Sequence, residues 1–239
     1  MGLVDCAHSR SPLMFICFWL LLGVSIGPAA IAGESEKAIE EIVVTAQKRE
    51  ESMQEVPLSI SAFTEDFLSD RQLNNLQELT RFAPSLEFEP GNGLRNSFLI
   101  VRGIGSSGQN AGIDGSVGLY LDGVFIPRQG GLVNSLTDVQ AVELLKGPQG
   151  TLYGANTPAG LLNVNTRMPT QEFEGRIEVG AGNFDMREFS GFVSGGLTDT
   201  LASRLAFWSR AHDGTLKLKT GGRSNTREDY GARLRNVWS

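Results

Sequence analysis

From residue 171 the chain alternates, and sustained alternation admits few folds. In EFEGRIEVGAGNF, Phe173, Gly175, Ile177, Val179 and Ala181 share one parity, while Glu174, Arg176 and Glu178 share the other. LASRLAFWSR repeats the pattern, with Leu201, Leu205 and Phe207 opposed by Arg204 and Arg210. YGARLRN does so again, with Tyr230, Ala232 and Leu234 opposed by Arg233 and Arg235. A period of two puts successive side chains on opposite faces of a strand, so each run has one apolar and one charged face. The segments GNFD and LTDT and a longer connection from His212 to Gly222 separate them as turns. Two structures accept such strands: one sheet of a soluble sandwich, or the wall of a membrane barrel, apolar to lipid and polar to its lumen. Strands of about 10 residues suit the second, and the alternation alone leaves both open. The 29 glycines favour turns, bulges and short strands over a helical bundle.

The other end of the chain sets the compartment. LMFICFWLLLGVSIG (13–27) is an apolar run flanked by Arg10 and by PAAIA. Fifteen helical residues are too short for a hydrocarbon core of about 30 Å, and Ala30-Ile31-Ala32 has the small-x-small spacing of a signal cleavage site. Export with cleavage after Ala32 is expected. That step removes Cys6, Cys17 and His8, leaving a cysteine-free chain whose one histidine is His212. Disulfides, thiolate metal sites and cysteine nucleophiles are thereby excluded, and an enzyme is disfavoured. A net charge of -6 argues against a nucleic-acid partner.

Residues 33–54 are largely charged and read as a flexible tether around one strand-forming word, IVVT (42–45). A lone strand leaves its amides and carbonyls unpaired, so this word must pair within the chain or be kept for a partner. Residues 55–168 read as a compact α/β unit. VPLSISAF (56–63) alternates, Thr64 with Glu65 and Asp66 opens a short helix, and Asn75 followed by Glu78 forms a capping box before Pro84. SFLIVRG (97–103), GLYLDGVFI (118–126), AVELLKG (141–147) and LLNVNT (161–166) are further strand candidates. Gly103-x-Gly105-x-x-Gly108, with Asp122 downstream, imitates a dinucleotide fingerprint. The following QNAGIDGSVG is too glycine-rich to build the helix that would hold a pyrophosphate.

Taken in order, these segments resemble the TonB-dependent receptors of Gram-negative outer membranes. EEIVVTAQKR looks like their TonB box. VPLSISAF, NLQELTRFAPSL, FLIVRGIG, VGLYLDGVFIPR, DVQAVELLKGPQGTLYG and NVNT look like successive plug segments, and VELLKGPQGTLYG is the most specific of them. The resemblance implies an α+β plug, a mixed sheet with short helices, followed by the first few antiparallel strands of an incomplete transmembrane β-barrel. The boundaries expected are a signal peptide at 1–32, a tether at 33–54 carrying the TonB box at 41–46, a plug at 55–168 and barrel strands from 169 to 239.

Roles follow from the same resemblance. Glu41, Ile42, Val43, Val44, Thr45 and Ala46 would pair with an edge strand of TonB, driven by the ExbB-ExbD energy-transducing complex. This is β-augmentation, in which main-chain hydrogen bonds supply affinity. Arg102, Gly103, Glu143, Lys146, Gly147, Pro148, Gly150, Tyr153 and Gly154 would shape the plug and dock it on the barrel. Lys146 stands where the family usually has Arg, so bidentate pairing is replaced by a point charge. Ala155, Pro158 and Ala159 also depart from the family's usual run. Ser106, Ser107, Gln109, Asn110, Asp114, Arg128 and Gln129 would lie in loops that meet substrate.

A barrel of this class has about 22 strands, whereas the residues after 170 supply about four. The sequence therefore reads as the front part of a transporter. Outer-membrane lipid and a small molecule such as a metal chelate are the expected partners, with a ferric siderophore the default substrate and no resident cofactor. Only eight residues separate Ala32 from the TonB box, which leaves no room there for a signalling domain. The competing reading is a soluble, non-transporting periplasmic module built on the same plug.

Overall fold

The computed structural model describes residues 42–45, 48–49, 51–89, 97–106, 115–127, 135–219 and 221–238. The signal peptide, Glu41, Ala46, Ser107, Gln109, Asn110, Asp114, Arg128 and Gln129 lie outside these residues.

The strand word forms β1 (Val43–Val44), antiparallel to β2 (Glu51–Ser52). β3 (Ser59–Thr64) runs into helix α1 (Glu65–Asp70), whose cap is Thr64: its hydroxyl accepts from the Phe67 N–H. Helix α2 (Leu76–Leu79) is capped by Asn75, which accepts from the Glu78 N–H at 2.8 Å. The Glu78 carboxylate reaches back one residue further than expected and accepts from the Asn74 N–H at 2.8 Å. Both helices start where an oxygen-bearing side chain meets orphan amides.

A small sheet follows, β4 (Leu86–Glu89), β5 (Phe98–Val101) and β6 (Ile104–Gly105). Next come β7 (Val117–Leu121) and β8 (Val124–Phe125), then β9 (Val139–Lys146), helix α3 (Gly150–Tyr153) and β10 (Gly160–Thr166). The predicted 118–126 strand is thus a hairpin. Asp122 and Gly123 both take positive φ, 49° and 80°, as a two-residue Asp-Gly turn requires. The central sheet has the order β3-β9-β10-β7-β8, with β10 and β7 parallel and its other pairs antiparallel.

That sheet is buried on both faces. Val142 and Leu144 of β9 and Leu162 and Val164 of β10 point to the main core with Leu68, Leu76, Leu79, Leu99 and Val101. Leu145 and Leu161, of the other parity, face a second cluster completed by Val44, Val56 and Tyr120. The strand word therefore roofs the second face.

The alternating segments form β11 (Glu174–Gly182), β12 (Met186–Thr198), β13 (Leu201–His212) and β16 (Arg227–Trp238), each antiparallel to the next. A small hairpin, β14 (Leu216–Lys217) with β15 (Arg223–Ser224), interrupts the last connection. One face turns toward the α/β unit and carries the charges. The other exposes Ile177, Val179, Phe189, Leu205, Leu234 and their neighbours. Tyr230 and Trp238 bracket it, 78% and 79% exposed. The eight residue steps from one to the other span about 26 Å along the strand, near the roughly 25 Å apolar band of a barrel wall. A sandwich would have covered this face with a second sheet; here the polar face is the covered one. Among the described residues no helix is long and apolar enough to cross a membrane, which has no bearing on strands.

Candidate partner-binding strand and the interface beneath the wall

The strand word was expected to stand free on its tether, and the structure differs. Val44 is 1% exposed, seated on Tyr120, Leu145 and Leu161, while neighbouring Val43 points out at 54%. Strand β1 pairs with β2, and the Met53 N–H donates to the Ile42 carbonyl at 2.9 Å. An apolar side chain with a complementary seat and available backbone partners gains more by docking than by hydration.

Beyond Val44 the contact becomes polar. Glu143, 1% exposed, accepts from the Thr45 N–H at 2.7 Å and from the Thr45 hydroxyl at 3.1 Å. Asn163 donates to Glu143 Oε2 at 3.1 Å, and Asn165 donates to Glu143 Oε1 at 3.2 Å and to Thr45 Oγ1 at 2.9 Å. A buried carboxylate is tolerable only when its oxygens are met by donors, and two of the four donor groups belong to Thr45.

Tyr153 flanks this seat. Its carbonyl accepts from the Tyr120 hydroxyl at 2.6 Å, the rings are edge to face at 5.0 Å, and Lys48 Nζ lies 5.4 Å from its centroid. Burial, reinforced by the negative charge of Glu143 and by Tyr120, pushes the Tyr153 phenol up to about 12, and burial also raises Tyr120.

The residues expected to dock the α/β unit on the barrel have other contacts here. Arg102 donates to Ser59 Oγ at 2.9 Å, and Lys146 pairs across the sheet with Ser59 and Gly160. Glu143 meets the strand word rather than the wall. Gly103 shares a turn with Arg102, both at positive φ. Gly147 and Gly154, also at positive φ, bracket α3 with Pro148, Gly150 and Tyr153. The Gly147 N–H donates to the Ala159 carbonyl and the Gly154 N–H to the Gly150 carbonyl, both at 3.0 Å. Ser106 lies within hydrogen-bond distance of Ser116, 2.9 Å between hydroxyls.

The sheet is held from the opposite direction, by its own arginines. Arg204 of β13, 1% exposed, donates through Nε to Asp138 Oδ2 at 2.9 Å and through Nη2 to Oδ1 at 2.6 Å. Its Nη1 reaches Glu174 at 2.7 Å, and its guanidinium lies 3.7 Å from the Phe192 ring. Arg233 donates to the carbonyls of Thr137 and Asp138 at 2.7 and 3.0 Å. Arg235 donates to Asp122 Oδ1 at 3.0 Å and to the Thr166 carbonyl at 2.7 Å. Asp122 is the acid that made the false dinucleotide match. Asp122 and Asp138 both take positive φ, each in a turn that borders a strand of the central sheet. Arg204, Arg210, Arg233 and Arg235 were legible as one charged face, but their acidic partners were not. The Asp-Gly turn was a usable signal for Asp122, and Asp138 had none.

Between α1, residues 136–139 and the inner face of β11 and β12 lies a cavity of about 660 Å³, lined by both signs of charge, among them Glu65, Glu178, Arg176 and Arg210. Among the described residues no group of His, Cys, Asp and Glu is arranged to hold a metal ion.

Comparison with known proteins agrees with this architecture. The TonB-dependent Receptor Plug Domain matches residues 52–161. The pesticin receptor of Yersinia pestis is 36% identical over 187 residues, which are 76% of this chain and 27% of that protein. The ferripyoverdine receptor of Pseudomonas aeruginosa is 28% identical over 66% of this chain and 19% of its own length. The crystal structure of the ferric yersiniabactin uptake receptor FyuA from Yersinia pestis superposes with a TM-score of 0.65 at 31% identity, covering 75% of this chain and 29% of that one. The chain spans about a quarter of the length of these curated relatives and of others that it matches. With a plug-domain match, a mixed sheet carrying short helices and arginine-faced antiparallel strands behind it, this chain belongs to the TonB-dependent outer-membrane receptor family.

Proposed function

We propose that the chain is the front of an energy-coupled receptor that imports a scarce solute, a ferric siderophore, across the outer membrane. Residues 41–46 are the segment handed to TonB, which draws its energy through ExbB-ExbD, and the plug faces the periplasm after the leader is removed at Ala32. The observation that carries this reading is the seated strand word. Val44 is anchored by apolar contact, Thr45 by a polar latch, and Val43 is left outward, so the segment is held at two neighbouring residues while one side chain faces out. Unseating it exposes Glu143, Asn163 and Asn165, side chains that water can satisfy. The freed strand then offers its backbone to a new edge.

The substrate class is supported by the relatives named above, two of which are named for ferric pyoverdine and ferric yersiniabactin. The uncovered apolar face bounded by Tyr230 and Trp238 supports outer-membrane lipid as its surroundings. The loops holding Ser106, Ser107, Gln109, Asn110, Asp114, Arg128 and Gln129 are assigned to substrate. Arg102, Lys146 and the turn 147–154 are assigned to further docking.

The test is Val43→Pro in the receptor that carries this front, assayed by iron-limited growth and uptake of radiolabelled ferric chelate. Proline removes a backbone donor from the augmenting strand without touching the core. Uptake should fall to background while outer-membrane abundance is unchanged. Uptake equal to wild type would overturn the assignment of this strand.

A further inference from the structure

The connection between β13 and β16 concentrates positive charge in an acidic chain. Residues 214–227, GTLKLKTGGRSNTR, hold four basic residues and no acid, against a net charge of -6 for the whole. Within it the β14–β15 hairpin presents Leu216, Lys217, Leu218 and Lys219 in alternation, all exposed, the leucines at 63% and 47%. Among the described residues neither lysine meets a carboxylate at ion-pair distance. Arg223 fixes the base of the hairpin. Its Nη1 donates to the Gly214 carbonyl at 3.0 Å, and its guanidinium stands 5.4 Å from the Phe184 ring at the β11–β12 turn.

The position of this hairpin is informative. The β12–β13 connection is two residues long, whereas this one runs from 213 to 226, and barrels keep short turns inside and longer loops outside. Arg227 opens β16 only three residues before Tyr230, the aromatic at this end of the apolar face. The hairpin therefore stands just past the hydrocarbon band, at headgroup height. Interleaved leucine and lysine suit that depth, since leucines enter the acyl boundary and lysines extend to charge above it. A small-anion site would need a concave arrangement of donors, and two exposed leucines would add nothing to it.

We infer that the β14–β15 hairpin is a headgroup-level anchor, binding net-anionic phosphate headgroups of the outer leaflet through Lys217 and Lys219 beside Leu216 and Leu218. This rests on reading β11 to β16 as a membrane wall.

The full chain is tested in neutral detergent micelles, which cover the outer face without needing a closed barrel. Binding of a fluorescent phosphatidic acid is compared with that of a fluorescent phosphatidylcholine. In parallel, quenching of Trp238 by brominated acyl chains, absent in Trp238→Phe, reads contact between wall and lipid. Each lysine near an anionic surface contributes about 1 kcal/mol, so the preference for phosphatidic acid should fall about 30-fold in the Lys217→Gln/Lys219→Gln variant. It should survive in Lys217→Arg/Lys219→Arg. Quenching without preference for phosphatidic acid, or equal binding by the glutamine variant, overturns the anchor and leaves the wall standing. Loss of the preference on adding an equal concentration of inorganic phosphate identifies a small-anion site and overturns the lipid assignment. Absence of Trp238 quenching overturns the wall, and the anchor with it.

Discussion

Thr45 donates its backbone N–H to Glu143 Oε1 at 2.7 Å across 98 positions of sequence, and this bond joins the strand word to the centre of the plug sheet. Its acceptor is a buried carboxylate on β9, whose other face forms the main core. The resting position of the strand word is thus set by a charge that loses two donor groups when the strand leaves.

Glu143→Gln tests the latch. The substitution keeps the shape but turns one acceptor into a donor facing the amides of Asn163 and Asn165. It should weaken seating by about 1–3 kcal/mol, the cost of a mispaired buried group. Hydrogen exchange at Val44 and Thr45 should accelerate at least about fivefold, and the affinity for the isolated periplasmic domain of TonB should rise. Unchanged exchange would mean that Val44 alone holds the strand.

Arg204 and Asp138 form the most enclosed ion pair between plug and wall, with side chains 1% and 5% exposed. Among the described residues, Arg204→Leu leaves the Asp138 charge facing Arg233 alone, at 3.9 Å. Breaking one side of such a pair costs about 3–5 kcal/mol. In denaturant unfolding, the Asp138→Asn/Arg204→Leu double variant should lose clearly less than the sum of the single losses. Strict additivity would show that the pair is not coupled.

Gly160 begins β10 at φ 145°, and a Cβ there would stand 2.4 Å from the Leu145 carbonyl oxygen, a backbone atom with no freedom to withdraw. Gly160→Ala should destabilise the plug by more than about 2 kcal/mol, read as a lower denaturation midpoint. Alanine at Gly123, also at positive φ but with nothing near its would-be Cβ, is the comparison, and its cost should be smaller.

Tyr153 links stability to high pH. Its phenol is raised from 10.0 to about 12 in the folded plug, so below pH 10 it is protonated in both states and stability does not depend on it. Between about pH 10 and 12 the unfolded chain releases the proton first, and stability is lost as pH rises through the folded value. An ultraviolet titration of tyrosinate should show a step near the top of that window that disappears in Tyr153→Phe. A step that stays in the variant would belong to another tyrosine.

Much of the architecture was legible in local signals. The caps at Thr64 and Asn75 mark helix starts because their side chains satisfy amides within four residues of themselves. The arginines of β13 and β16 fall on one face because a strand has period two. What that face meets was not legible, since Asp122 and Asp138 lie on turns more than sixty positions from their arginines and show no period of their own. The strand word carried its own β-propensity, but not the seat that holds it.

By itself the sequence determined the two-faced strands after 171, the capped helix starts at Thr64 and Asn75 and the strand-forming character of residues 42–45. These follow from composition, periodicity and short-range hydrogen bonding, all of which act between near neighbours. Tertiary structure alone decided that the alternating strands turn their charges toward the plug, that Val44 is buried rather than free, and that Glu143 latches Thr45 instead of gripping the wall. Each of those outcomes depends on which distant groups share one desolvated space. Buried charges and apolar side chains take their energies from such neighbours, whatever their separation along the chain.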